Sequence, residues 1–142
     1  MKTSLKPGKD FVGIGAFALI FNSQKKVLLT KAKMSDKKGK DYVNIWSMPG
    51  GTLEFGETCQ ECLVREIKEE LGIKISNIKL LNYNDYIKGD KHWIALNFSA
   101  STSENPKNLE IENNQEIAWF NLDELPDNIS PYTKRCLELR KL

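Results

Sequence analysis

The chain is poor in soft metal ligands and in cross-linking capacity, with only three cysteines and one histidine in 142 residues. An odd cysteine count gives no complete disulfide framework, and a reducing, cytoplasmic setting is expected. No apolar run approaches the roughly 20 residues that span a bilayer, so no membrane partner is expected. The basic start Met1-Lys2-Thr3-Ser4-Leu5-Lys6 runs into Pro7-Gly8-Lys9-Asp10 rather than into the apolar stretch of a signal peptide. Neither sign of charge dominates: the net charge is +2 with 28% charged residues, a mixed surface that does not call for a nucleic-acid polymer. Repeats and low-complexity segments are absent. The length fits one domain over residues 1–142.

Phe11 to Phe21 is a nearly continuous apolar run of strand-forming types, Asn22-Ser23-Gln24 offers a turn, and Lys26 to Lys31 follows as a partner strand. The pair reads as a hairpin buried on both faces. Residues 34–43 are polar and glycine-containing and read as a surface loop; its Lys37-Lys38-Gly39-Lys40 run is either a solvated face or an aid to polyphosphate binding. Thr58 with Glu61 has the spacing of a capping box, Leu63, Val64, Ile67 and Leu71 form an apolar helical stripe, and Gly72 ends the helix. Further strands are expected at Ile78–Tyr83, extending through Tyr86-Ile87, then at His92–Phe98 after a turn at Gly89-Asp90, and at Glu116–Phe120. Leu122 to Pro126 reads as a turn of helix, and Ser130-Pro131 as the start of a C-terminal helix reaching Leu139. Such an order predicts an α/β fold with a mixed sheet covered by helices.

Chemistry concentrates on the first helix. Glu66, Glu69 and Glu70 stand at i, i+3 and i+4 and share one face, where three like charges repel. Oxygen-only carboxylate sets suit magnesium, manganese or calcium. The preceding Pro49-Gly50-Gly51 offers backbone that can approach a ligand closely, and a carbonyl there can complete a metal shell. Carboxylate-held magnesium keeps positions for water and substrate phosphates, so the implied chemistry is phosphoryl or pyrophosphoryl transfer to water. A glutamate- and lysine-rich helix is ordinarily only a solvated face. Here, however, seven residues (Gly51, Glu57, Arg65, Glu66, Glu69, Glu70, Gly72) co-occur at set spacing, an event on the order of 10⁻⁸ from average usage.

That spacing resembles the Nudix box, G-x5-E-x7-R-E-U-x-E-E-x-G-U with U aliphatic, and every fixed position is filled. The Trp46 to Gly51 entry, the Trp119 to Pro126 segment and the strand pair ahead of the box also resemble the family, and Leu53 to Thr58 with Asn108-Leu109-Glu110 resemble its MutT-like nucleoside-triphosphate pyrophosphohydrolase branch. The resemblance implies an α/β/α sandwich and a Mg2+ cofactor, with Mn2+ as a substitute. It implies Glu66, Glu69 and Glu70 as metal ligands, the Gly50 carbonyl as a further one, and Arg65 and Glu57 as the residues that orient them. The general base is a box glutamate, with Glu69 preferred, or a loop glutamate among Glu110, Glu112 and Glu116, with Glu116 preferred. The partner is a small-molecule nucleotide, most simply a triphosphate cleaved to monophosphate and pyrophosphate. ADP-ribose and dinucleoside polyphosphates are alternatives, as is a non-catalytic nucleotide-binding module; homodimers are common in the family.

Other residues invite chemistry and are discounted. Cys59 and Cys62 form a C-x-x-C without a second pair, and His92 stands alone at a strand start. Trp46, Trp93, Trp119 and Phe120 read as mainly core. Phe55, in the loop before the helix, is the aromatic expected to flank a substrate.

Overall fold

The computed structural model describes residues 4–33 and 43–141; the lysine-rich 37–40 run and all but Val43 of the expected 34–43 loop lie outside them. Among the described residues seven strands and two helices follow in the order β1 (Gly13–Phe21), β2 (Val27–Ala32), β3 (Trp46–Ser47), β4 (Gly50–Thr52), α1 (Cys59–Leu71), β5 (Ser76–Lys88), β6 (Lys91–Ser101), β7 (Asn114–Phe120) and α2 (Pro131–Leu139).

The sheet is mixed. Its main path is β3-β2-β1-β6-β5, with β4 joined to β1 and β7 joined to β2. Among the named strands of the described residues, β1 and β6 are the parallel pair, from Gly13↔Trp93 to Phe21↔Ser101. The expected hairpin forms only next to its turn, through Ile20↔Leu28 and Phe21↔Val27. Beyond those pairs the strands part: the N-terminal half of β1 takes β4 at Gly15↔Thr52 to Phe17↔Gly50, while β2 pairs with β3 and β7. Phe11 and Val12 precede the strand and are exposed.

Period-two alternation along β1 serves two cores. Ala16, Ala18 and Ile20 pack with Cys62, Leu63, Ile67 and Leu71 of α1, and Leu19 packs with Trp46, Cys136 and Leu137 on the α2 side. This is the α/β/α sandwich, one helix on each face. No helix among the described residues is long and apolar enough to cross a membrane.

Helix α1 starts as its sequence implies. The Thr58 side chain accepts the Glu61 N–H at 3.1 Å, and the Glu61 carboxylate accepts the Thr58 N–H at 2.8 Å. Gly72 ends it in the left-handed conformation at φ 68°. Val64, expected in the apolar stripe, is 42% exposed, while Cys62 is fully buried. Leu63, Ile67 and Leu71 define the buried line, and Val64 falls to its outer side. The Leu122 to Pro126 stretch forms a tight turn closed by Glu124 N–H to Asn121 O at 3.0 Å rather than a turn of helix. The chain must then extend so that Trp46 N–H reaches Asn128 O and Ser130 N–H reaches Trp46 O. Ser130 caps α2 by accepting the Tyr132 N–H at 3.2 Å.

Removing a fully buried side chain loses transfer free energy and leaves a cavity. Ile67→Ala should therefore cost about 2–5 kcal/mol in urea unfolding, while Val64→Ala stays within about 0.5 kcal/mol. Equal costs would contradict the placement of the stripe.

Candidate active site

The box surrounds one guanidinium. Arg65 Nε donates to Glu57 Oε2 at 3.0 Å and Nη2 to Glu57 Oε1 at 2.7 Å, a fork-on-fork pair. Nη2 also reaches Thr52 O at 3.1 Å, and Nη1 reaches Glu66 Oε1 at 2.7 Å and Glu69 Oε1 at 3.3 Å. Glu57 Oε1 further accepts the Glu54 N–H at 2.8 Å. These bonds to Arg65 and to the Glu54 amide favour the charged carboxylate and hold the Glu57 pKa down at about 2. Arg65 is in turn held protonated well above its ordinary value, chiefly by its bond to Glu57.

Two glycines let β4 lie beneath this cluster. A Cβ on Gly50, whose φ is +151°, would stand 2.0 Å from the Ala16 carbonyl oxygen. One on Gly51 would stand 1.9 Å from Glu66 Oε2. The Gly50 N–H donates to Glu70 Oε1 at 3.3 Å, so the loop and the last acidic residue of the helix meet directly.

The three helix carboxylates differ in environment. Glu69 is 54% exposed at the side chain, Glu66 is partly buried, and Glu70 is only 3% exposed. Glu70 Oε2 accepts Asn114 Nδ2 at 2.8 Å. Burial pushes the Glu66 carboxyl up, against the pull of Arg65, and the charges of Glu69 and Glu110 push the same way. Crowded, partly desolvated carboxylate oxygens of this kind fit a hard divalent cation. Among the described residues no three Asp, Glu, His or Cys side chains converge as a ready-made cage. Arg65 draws Glu66 and Glu69 toward itself while Gly50 and Asn114 hold Glu70. Magnesium, which takes one or two carboxylates and keeps its waters, is compatible with that looser set.

Glu66, Glu69, Glu70, Gly50 and Gly51 line one wall of a cleft of about 820 Å³. Glu110 joins them; Glu116 and Phe55 do not. Glu116 stands on β7, 55% exposed, and pairs with Lys31 at 3.1 Å, because that strand pairs with β2 away from the cleft. Phe55 points fully into solvent, since the loop turns it off the site while Leu53 and Glu54 line the cleft. His92 is exposed and outside the lining.

The same cleft is also lined by Phe17, Tyr86, Trp93 and Tyr132 with Asn84 and Asn97, residues whose spacing carried no signal because they come from four separate elements. Tyr86 and Tyr132 meet edge to face at 6.3 Å. Asn97, almost wholly buried, donates through Nδ2 to Asn82 Oδ1 at 3.0 Å and to Asn84 Oδ1 at 2.9 Å. The Cys136 thiol donates to the same Asn82 oxygen at 3.3 Å, and the Cys62 thiol to Gly51 O at 3.7 Å. Burial pushes these thiols up to about 11 and about 12, so both remain protonated packing groups.

The NUDIX domain family matches residues 12–139. The chain belongs to that family. Nudix relatives include the NAD-capped RNA hydrolase NudC of Pseudomonas aeruginosa (strain LESB58), 33% identical over 85 residues that cover 58% of this chain and 29% of that protein. Another is the 8-oxo-dGTP diphosphatase of Buchnera aphidicola, 39% identical over 64 residues, covering 45% of this chain and 52% of that one. The matches thus span 29% and 52% of these two relatives' lengths. Among solved structures, a MutT NUDIX hydrolase from Burkholderia pseudomallei superposes with a TM-score of 0.78 at 31% identity, covering 89% of this chain and 96% of that one. The MutT-like Nudix assignment therefore stands on sequence and fold together.

The lowered pKa of Glu57 sets an acid limit on the clamp. Its contribution is fully present above the ordinary value of 4.5 and disappears as pH falls toward about 2. The difference in Tm between the wild type and Glu57→Gln should be constant above pH 4.5 and narrow below it. A difference that grew on acidification would contradict this.

Proposed function

We propose that this chain is a divalent-cation-dependent Nudix pyrophosphohydrolase that cleaves a nucleoside triphosphate to monophosphate and pyrophosphate. The observation that carries the reading is the complete box lining a cleft that aromatic and amide side chains also line. A cation-bound polyphosphate suits the box and a planar base the aromatic and amide side chains.

Glu66, Glu69 and Glu70, with the Gly50 carbonyl, are the groups that would hold Mg2+ or Mn2+. The bound cation supplies neutralisation of phosphate charge and acidification of water. Arg65 and Glu57 are positioning residues: the fork between them fixes the guanidinium, and the guanidinium fixes Glu66 and Glu69. Glu110 is the general base outside the box, in preference to Glu116, because it alone of the two lines the cleft. It takes the proton of the attacking water as the new P–O bond forms and the phosphoanhydride bond breaks, with pyrophosphate leaving. Glu69, the most exposed of the three box carboxylates, is the alternative within the box. Relatives named for 8-oxo-dGTP and for NAD-capped RNA do not by themselves select a substrate.

The test is a magnesium-dependent phosphate and pyrophosphate release screen over nucleoside triphosphates, 8-oxo-dGTP, ADP-ribose and dinucleoside polyphosphates, ranked by kcat/KM. A triphosphate should lead. Glu110→Gln should lower kcat about 10²–10⁴-fold with little change in KM, and Glu69→Gln should abolish turnover without unfolding. Glu116→Gln should remain near wild type. Binding without release across the whole panel would replace the enzyme with a nucleotide-binding module, and equal losses in Glu110→Gln and Glu116→Gln would remove Glu110 from its role.

A further inference from the structure

Glu70 is the deepest carboxylate of the box, and a carboxylate so buried takes its geometry from its hydrogen-bond donors. One donor, Gly50 N–H, belongs to the box loop. Another, Asn114 Nδ2 at 2.8 Å, comes from 44 residues further along the chain.

Asn114 reaches inward because of an irregularity in β7. Lys31 faces Glu116 and the adjacent Ala32 faces Asn114, so β7 carries one residue more than β2 across this step. Bulges of this kind re-aim side chains. Glu116 is left outside on Lys31, and Asn114 is fully buried. Among the described residues its own Oδ1 is buried without a partner, so the bond to Glu70 orients the amide.

The same residue anchors the loop that bears Glu110. Asn114 N–H donates to Glu110 O at 2.9 Å, and Asn108 Nδ2 donates to Asn114 O at 2.9 Å. The loop is also joined to the end of α1: Leu109 N–H donates to Glu70 O at 3.0 Å and Lys107 N–H to Leu71 O at 2.9 Å, filling helix-terminal carbonyls that would otherwise need water.

The structure assigns to Asn114 the role of a positioning residue that fixes the Glu70 carboxylate and registers the Glu110 loop against it. Cation binding through Glu70 and proton removal by Glu110 then depend on one buried amide. This rests on the roles proposed above for those two glutamates. Partners that hydrogen-bond a ligating carboxylate orient it, and losing one lowers metal affinity or activity about 10–100-fold.

The experiment measures Mn2+ binding by calorimetry without nucleotide, together with kcat and KM at saturating Mg2+ and the metal-free Tm. Asn114→Ala should weaken Mn2+ binding about 10–100-fold and lower kcat, with KM for nucleotide nearly unchanged. Asn114→Leu, which retains the volume, asks the same question should the alanine variant not fold. Asn108→Ala, which frees the loop and leaves Glu70 its donor, should keep Mn2+ affinity near wild type while lowering kcat. Unchanged Mn2+ affinity in a folded Asn114 variant, or unchanged kcat in Asn108→Ala, overturns the assignment. A wild-type chain that binds no Mn2+ refutes the underlying metal reading instead.

Discussion

Five N–H protons of Arg65 meet five oxygen acceptors: two on Glu57 and one each on Thr52, Glu66 and Glu69. A guanidinium has five such protons in a rigid plane, so each direction it offers is used, and an ammonium could not reproduce the fork. The loop before α1, the strand β4 and two turns of the helix are thereby tied at one point. Without that cation four glutamates would crowd a partly desolvated surface with nothing to separate them. With it, Glu66 and Glu69 have defined positions.

The fold supplies what the guanidinium cannot. The apolar line Leu63, Ile67 and Leu71 seats α1 on the even-numbered side chains of β1, which sets how far the helix stands from β4. Glycine at 50 and 51 allows that distance to be short enough for Glu66 to lie over the strand and for Glu70 to accept a backbone N–H. The remaining acidic group, Glu110, arrives on a loop fastened to the carbonyl end of the same helix. The acidic wall is therefore assembled around one helix, while the aromatic and amide wall is drawn from β1, β5, β6 and α2.

Legibility in the sequence followed the range of the interaction. Cap, helix, terminal glycine and box read correctly because each depends on residues within a few positions of one another: Thr58 with Glu61, Leu71 with Gly72, Arg65 with Glu66 and Glu69. Val64 was misplaced because apolar character alone does not fix which side of a helix meets the sheet, and Cys62 filled the place instead. Phe55 is apolar and close to the box, yet the loop turns it to solvent. Glu116 and Glu110 are equally plausible by spacing; pairing of β7 with β2 sets Glu116 against Lys31, while Glu110, on the loop before β7, lines the cleft.

By itself the sequence determined the acidic box and with it the family, because the box is written in local spacing: side chains three and four apart must share a face whatever surrounds them. It also determined two-sided burial of the central strand, through a nearly continuous apolar run. Only the tertiary structure decided which loop glutamate reaches the cleft, which aromatic and amide side chains share it, and that an asparagine far along the chain donates to Glu70. Those outcomes depend on strand pairing between distant segments, where a shift of one residue reverses the face a side chain takes, and no local pattern records that shift.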